Sequence, residues 1–281
     1  VPVLLFLGGH LRRSSGVTLT CWALLSSGLL TLLQPRPVAS QPPGRGQDPN
    51  ALVLGQSLPL SGPSAQLGLD YRRGALAWFK SVNREGGIHG RRIELVSLDD
   101  KYEPSQTLIN TRQLLKRNDL LALFGYVGTP TTKVALPLIE AAEVPLVAPM
   151  TGASLLRRPE LRMVFNMRTS YRREIAAMVD EMVRDAHHRI AIVYQDDAFG
   201  QDGLDGAMAA LTSHGLKPVA VTTVQRNSAQ VGDALDDLMA VNPNGVVLVS
   251  AYVSSAALAT ALRERGSSAQ IMNVSFVGPQ A

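Results

Sequence analysis

From Leu52 onward, short runs rich in valine, isoleucine and leucine alternate with longer stretches whose apolar residues recur at helical spacing. The runs are "ALVLGQSL", "RIELVSL", "LLALFGYV", "VPLVAP", "RIAIVYQ", "VAVTTV", "GVVLVS" and "IMNVSFV". Between them, Ile175, Met178, Val179, Met182 and Val183 fall on one helix face, as do Val231, Ala234, Leu235, Leu238 and Met239. Leu204, Ala207, Met208 and Leu211 repeat the spacing, and Pro104 suits a first helical turn. A strand apolar on both faces has to be covered on both faces. Strands of that kind alternating with helices predict an α/β fold with parallel sheets flanked by helices.

The rhythm breaks once. Four strand and helix units run from Leu52 to about Met150, "TGASLLRRPELRMVFNMRTSYRRE" interrupts, and a second series starts near Ile175. Each series opens with a strand, a polar glycine-bearing loop and a helix, as in "LPLSGPSAQLGLDYRRGAL" and "IVYQDDAFGQDGLDGAMAAL". This predicts two α/β lobes, residues 52–168 and 169–281, facing each other across a cleft at the carboxyl ends of their strands, where open α/β sheets take ligands.

Residues 1–40 read differently. An arginine pair, Arg12 and Arg13, precedes the apolar run from Val17 to Leu33, and Val38 and Ser40 supply small residues before a polar start. The arrangement fits a secretory signal cut after Ser40 better than a membrane anchor. Too little apolar sequence precedes Cys21 for a lipid anchor there. Residues 41–51 follow as a linker rich in proline and glycine. The formal charge is +4, but Arg12, Arg13 and Arg36 lie in the removable segment, so the remainder is close to neutral and no nucleic-acid partner is expected. Cys21 is the single cysteine, so the exported part would rest on its core rather than on disulfides.

Motifs for chemistry are missing. In "LPLSGPSAQLG", Gly62 and Gly68 are separated by five residues and Leu69 follows, which is no phosphate loop, and no G-x-G-x-x-G is present. There is no H-E-x-x-H, no G-x-S-x-G and no cysteine nucleophile in the predicted lobes. His187 and His188 fall at a helix end, which suits capping rather than a metal. The pairs Asp99/Asp100 and Asp196/Asp197 follow strands and read as solvated or capping carboxylates. Neither an enzyme nor a cofactor nor a metal is expected.

The segments "LPLSGPSAQLG", "VNREGGIHGRRIELVSLDDKYEPSQ", "FGYVGTPTTKVALPLIEAAEVPLVAP", "VFNMRTSY" and "RIAIVYQDDAFGQDGL" resemble the leucine/isoleucine/valine-binding family of periplasmic solute-binding proteins. The resemblance implies a hinged, two-lobed periplasmic-binding-protein type I fold without catalysis. It implies a monomer in the periplasm that captures a small-molecule ligand and passes it to ABC transporter permease subunits in the inner membrane. A ligand-sensing domain of a membrane receptor with the same fold is the alternative. The family's chains continue further, so ending at "SFVGPQA" implies a truncated second lobe.

The resemblance also implies ligand positions. "GTPTT" matches the loop that receives a ligand carboxylate, pointing to Thr129, and "APMTGAS" matches its second half. There Met150 would act through its carbonyl and Gly152 through its N–H, with Thr151 beside them. Phe199 and Tyr252 match aromatic positions that close over the ligand, and Leu67 matches another, usually aromatic. Thr129 could instead cap the helix starting near Pro130. Ser275 stands where amino-acid binders carry a carboxylate for the ligand ammonium, and a neutral hydroxyl cannot offset the desolvation of a buried cation. That departure counts against a zwitterionic amino acid, and the ligand expected is a small polar organic molecule: an amino acid, or a related carboxylate or amide.

Overall fold

The computed structural model describes Gly46 and residues 48–278. The expected signal, with the Val17 to Leu33 run, Cys21 and Ser40, lies outside the described residues. The first sheet is built from β1 (Ala51–Leu58), β2 (Arg92–Asp99), β3 (Leu120–Phe124), β4 (Leu146–Val147) and β5 (Val164–Phe165), in the order β2-β1-β3-β4-β5. The second is built from β6 (Ile190–Gln195), β7 (Val221–Val224), β8 (Gly245–Val249) and β9 (Gln270–Asn273), in the order β7-β6-β8-β9. Every strand pairing is parallel. Helices α1 (Ala65–Arg84), α2 (Pro104–Leu115), α3 (Thr129–Ala142), α4 (Tyr171–Arg184), α5 (Ala198–Ser213), α6 (Gly232–Val241) and α7 (Tyr252–Glu264) make the crossovers.

The strand β6 shows why the runs lack polar alternation. Ile190 and Ile192 face a core shared with Ile175, Val179 and Met182 of α4 and Ala207 and Leu211 of α5. Ala191 and Val193 face the opposite core, with Ala234, Leu235 and Leu238 of α6 and Leu258 and Leu262 of α7. Each buried isoleucine, valine, leucine or methionine of this kind contributes about 1.5–3 kcal/mol, and a polar residue on either face would forgo that gain and bury a group needing a hydrogen-bond partner. The edge strand β2 differs, with Arg92 and Glu94 exposed. Pro104 is the first residue of α2, as its fixed φ favours.

Two expectations differ from the structure, and one strand was not expected. The fourth strand has only two residues and is followed by a 3-10 turn, Ser154–Arg157, rather than a helix, because β4 leads straight into the loop that ends at β5. The β5 pairing of Val164 and Phe165 was not legible. The run "IMNVSFV" is not one strand: pairing with β8 stops at Asn273, and Ser275–Val277 form a 3-10 turn. Among the described residues, no helix is long and apolar enough to cross a membrane.

Candidate functional site

The loops that leave the carboxyl ends of the two sheets meet. Gln195, at the end of β6, donates to the Tyr102 hydroxyl after β2 at 3.4 Å, and the Ser154 N–H donates to Asp202 of α5 at 2.9 Å. The seam between them is packed with apolar side chains. Leu67, Tyr102, Val127, Ala153, Tyr171, Phe199 and Phe276 are all buried in one cluster there.

At its centre stands a pair of buried hydroxyls, Thr129 and Thr151, 2.6 Å apart. Thr129 is the first residue of α3, and Gly128 is its N-cap with no side-chain cap bond, so Thr129 does not serve as the helix cap. The neighbouring Thr131 and Thr132 bond back to the Val127 and Gly128 carbonyls, which leaves Thr129 alone among the three turned toward Thr151. The Thr151 oxygen also accepts from the Ala153 N–H at 3.2 Å. The buried Tyr171 hydroxyl lies close enough to Thr151 to be influenced by it, and among the described residues none meets it in full hydrogen-bond geometry. Three hydroxyls thus gather near the N-terminus of α3, one of their hydrogens spent in the Thr129–Thr151 bond, where the helix dipole favours an anion or a carbonyl oxygen.

Two glycines make this approach feasible. Gly128 has φ +99°, and a Cβ there would sit 2.2 Å from the Tyr102 ring. A Cβ on Gly152 would sit 2.7 Å from the Tyr171 ring and 2.8 Å from its backbone nitrogen. The Gly152 carbonyl accepts from that nitrogen at 2.9 Å, which fixes the start of α4 against the Thr151 loop.

An aromatic chain covers the hydroxyls. Phe199 lies 5.1 Å from Tyr171 and 4.9 Å from Phe276, and Phe276 lies 6.0 Å from Tyr102, distances at which tilted ring pairs attract. Phe199 is set by Asp197, the N-cap of α5, which accepts from the Phe199 and Gly200 N–H groups. Burial, then the Asp197 charge, push the Tyr102 phenol well above its usual range, and burial likewise raises Tyr171, so both remain neutral donors. Lys101 and Tyr102 have φ 55° and 62°. A bulky residue held there costs on the order of 1–3 kcal/mol and marks a loop constrained by its surroundings.

Asp99 and Asp100 divide that task. Burial pushes Asp99 up, but hydrogen bonds from Ser61, Leu60 and Lys101 outweigh it, and its net position is below the usual carboxylate range. Asp100 is not the solvated carboxylate expected. It is buried and accepts from Ser57 Oγ at 2.8 Å, Thr107 Oγ1 at 3.1 Å and the Tyr102 N–H at 2.9 Å. Burial dominates these bonds and lifts it to about 6.

The remaining expected residues lie at the flanks. Met150 uses both backbone groups in bonds to the β3–α3 loop, its N–H to Tyr126 at 2.7 Å and its carbonyl from Gly128 at 3.2 Å, so that carbonyl is already engaged. Its side chain lines a cavity of about 350 Å³ with Tyr71, Ala148, Pro149, Met167, Arg168 and Ser275. Tyr252 begins α7 and donates to the Pro63 carbonyl across the seam. Ser275 is exposed, because Phe276 takes the inward place in that turn. Its N–H and hydroxyl reach the Glu174 carboxylate at 2.8 and 2.9 Å, and Arg168 contacts the same hydroxyl and pairs with Glu174 at 3.4 Å. A carboxylate thus stands beside position 275, supplied by α4 and balanced by Arg168. Tyr102, Tyr171, Gln195 and Phe276 were not singled out from the sequence. Tyr102, Tyr171 and Gln195 do fall within the quoted segments "VNREGGIHGRRIELVSLDDKYEPSQ", "VFNMRTSY" and "RIAIVYQDDAFGQDGL", which was their one signal. Among the described residues, no cluster of His, Cys, Asp and Glu could hold a metal.

The sequence profile described as "Periplasmic binding protein" matches residues 52–280. The chain belongs to that family, whose members are binding proteins, and its fold is the type I fold of the leucine/isoleucine/valine-binding proteins. Among solved structures it is similar to a possible leucine/isoleucine/valine-binding protein from Rhodopirellula baltica SH 1, at TM-score 0.77 and 35% identity, covering 85% of this chain and 65% of that one. It is also similar to a substrate-binding periplasmic protein from Ralstonia solanacearum, at TM-score 0.74 and 34% identity, covering 79% and 63%. The Leu/Ile/Val-binding protein homolog 7 of Brucella abortus is 26% identical over 217 residues, 74% of this chain and 54% of that protein. The chain therefore spans between about half and two thirds of the length of these relatives.

Proposed function

We propose that the chain is the solute-binding component of an ABC importer, exported to the periplasm by residues 1–40, which holds a small polar organic ligand between lobes 52–168 and 169 onward. The ligand is an amino acid, or a related carboxylate or amide, and its transfer to permease subunits by a monomer involves no catalysis and no cofactor. The observation that carries this reading is the group of buried hydroxyls of Thr129, Thr151 and Tyr171 at the N-terminus of α3, rich in donors and walled by Phe199, Tyr102 and Phe276. A carboxylate accepting from such donors is held without a buried counter-charge. Leu67, Met150, Gly152 and Tyr252 shape the walls, and Ser275 acts with Glu174 and Arg168 at the rim. The closed seam has to open for a ligand to enter, as hinged two-lobed binders do.

The test is a thermal-shift titration of the natural-length protein with L-leucine and with 4-methylpentanoate, the same skeleton without the ammonium group. A saturable rise in melting temperature with either supports the reading, and preference for one settles the role of the ammonium. No shift with these or with other amino acids, carboxylates and amides of similar size contradicts it.

A further inference from the structure

Arg226 and Asn227 sit on the loop after β7, yet their partners come from both sides of the seam. The two guanidinium NH groups of Arg226 reach Glu103 at 3.0 Å and Asp197 at 3.3 Å, and its Cζ lies 5.9 Å from the Tyr102 ring centre. Asn227 donates to the other Glu103 oxygen at 2.9 Å and to the Lys101 carbonyl at 3.2 Å, and it accepts from Ser64 at 2.6 Å. Both oxygens of Glu103 are thus taken by adjacent residues of one opposing loop.

The neighbours of this contact give it a role. Asp197 fixes Phe199 through the α5 cap, Gln195 donates to both Asp197 and the Tyr102 hydroxyl, and Tyr102 is the residue held in the left-handed region. Exposed ion pairs contribute little, but the Arg226 side chain is 24% exposed, serves two carboxylates at once and lies over a ring. A planar guanidinium can make both contacts and the ring contact together, and an ammonium cannot.

We propose that Arg226 is a positioning residue for the cleft: by bridging Glu103 and Asp197 it clamps the seam shut and holds Tyr102 and Phe199 against the shared Phe276 ring. This rests on the reading of the seam as a ligand cleft, but its test needs no ligand. Dye pairs attached to cysteines replacing the exposed Lys116 and Lys217, with Cys21→Ser, report the separation of the two sides, and near-UV circular dichroism reports the tyrosines. In the natural-length protein, Arg226→Gln and Glu103→Gln should each raise the population of longer separations about tenfold, and their combination should add little. Both should reduce the near-UV signal with the far-UV spectrum unchanged. Arg226→Lys should behave as Arg226→Gln does. Separations and near-UV signal like the parent's in the half-exposed Glu103→Gln, or full recovery by Arg226→Lys, would overturn the proposal. A failed ligand titration beside a positive result here would refute the binding reading alone.

Discussion

Replacing Asp100 by asparagine should remove a pH dependence of stability whose sign runs against the usual one for a carboxylate. Its environment lifts it from 3.8 to about 6, burial being the largest cause, with bonds from Ser57, Tyr102 and Thr107 only partly offsetting it. The folded protein therefore binds this proton more tightly than the unfolded chain. For this group stability is fully present below the unfolded value, near pH 4, and is lost as pH rises through about 6. The displacement corresponds to about 3 kcal/mol at neutral pH. Asparagine keeps the oxygen that receives the Tyr102 N–H, and its amide can donate to the Ser57 and Thr107 hydroxyls, which accept as well as donate. Urea unfolding of both proteins from about pH 4.5 to 7.5 isolates the residue by difference, since Asp99, lowered instead, is common to both. The parent should lose about 2 kcal/mol relative to Asp100→Asn across that range. Parallel profiles would refute the assignment of a buried, raised carboxylate.

Two further outcomes are expected. Gly128→Ala places a Cβ against the Tyr102 ring at φ +99°, so a loss of more than about 2 kcal/mol in urea unfolding is expected, with a changed near-UV signal. Tyr252→Ala removes the contact to the Pro63 carbonyl across the seam and should speed ligand dissociation several-fold in stopped-flow measurements while association changes little.

Fold and site were not equally legible. The alternation of apolar runs and helical spacing marked β6, α4 and α6 because each buries a face whose period is fixed by geometry, as Ile175, Val179 and Met182 show. The two-residue β5 has no period to read, and its pairing with β4 follows from the path of the loop. For the site, Thr129 and Thr151 are 22 residues apart and the resemblance named both, but not that they bond to one another. Leu67, Gly152 and Phe199 were named and are buried at the seam. Ser275 was named and faces outward, because one step along a tight turn exchanges it with Phe276. Arg226 was invisible. Its meaning depends on Glu103, 123 residues away, and no local pattern joins two charges that only the closed seam brings together.

In the proposed function the Thr129 and Thr151 hydroxyls receive a ligand oxygen. Calorimetric titration of L-leucine or 4-methylpentanoate, whichever binds the parent, into Thr129→Ala tests it most directly. The loss of a charge-assisted hydrogen bond worth about 1.5–3 kcal/mol predicts roughly ten- to hundredfold weaker binding. The melting temperature should fall only slightly, since the exchange of one buried hydroxyl pair contributes about 1 kcal/mol to folding. Parental affinity in Thr129→Ala, with a much earlier melt, would make that threonine a packing residue of α3 and contradict the account.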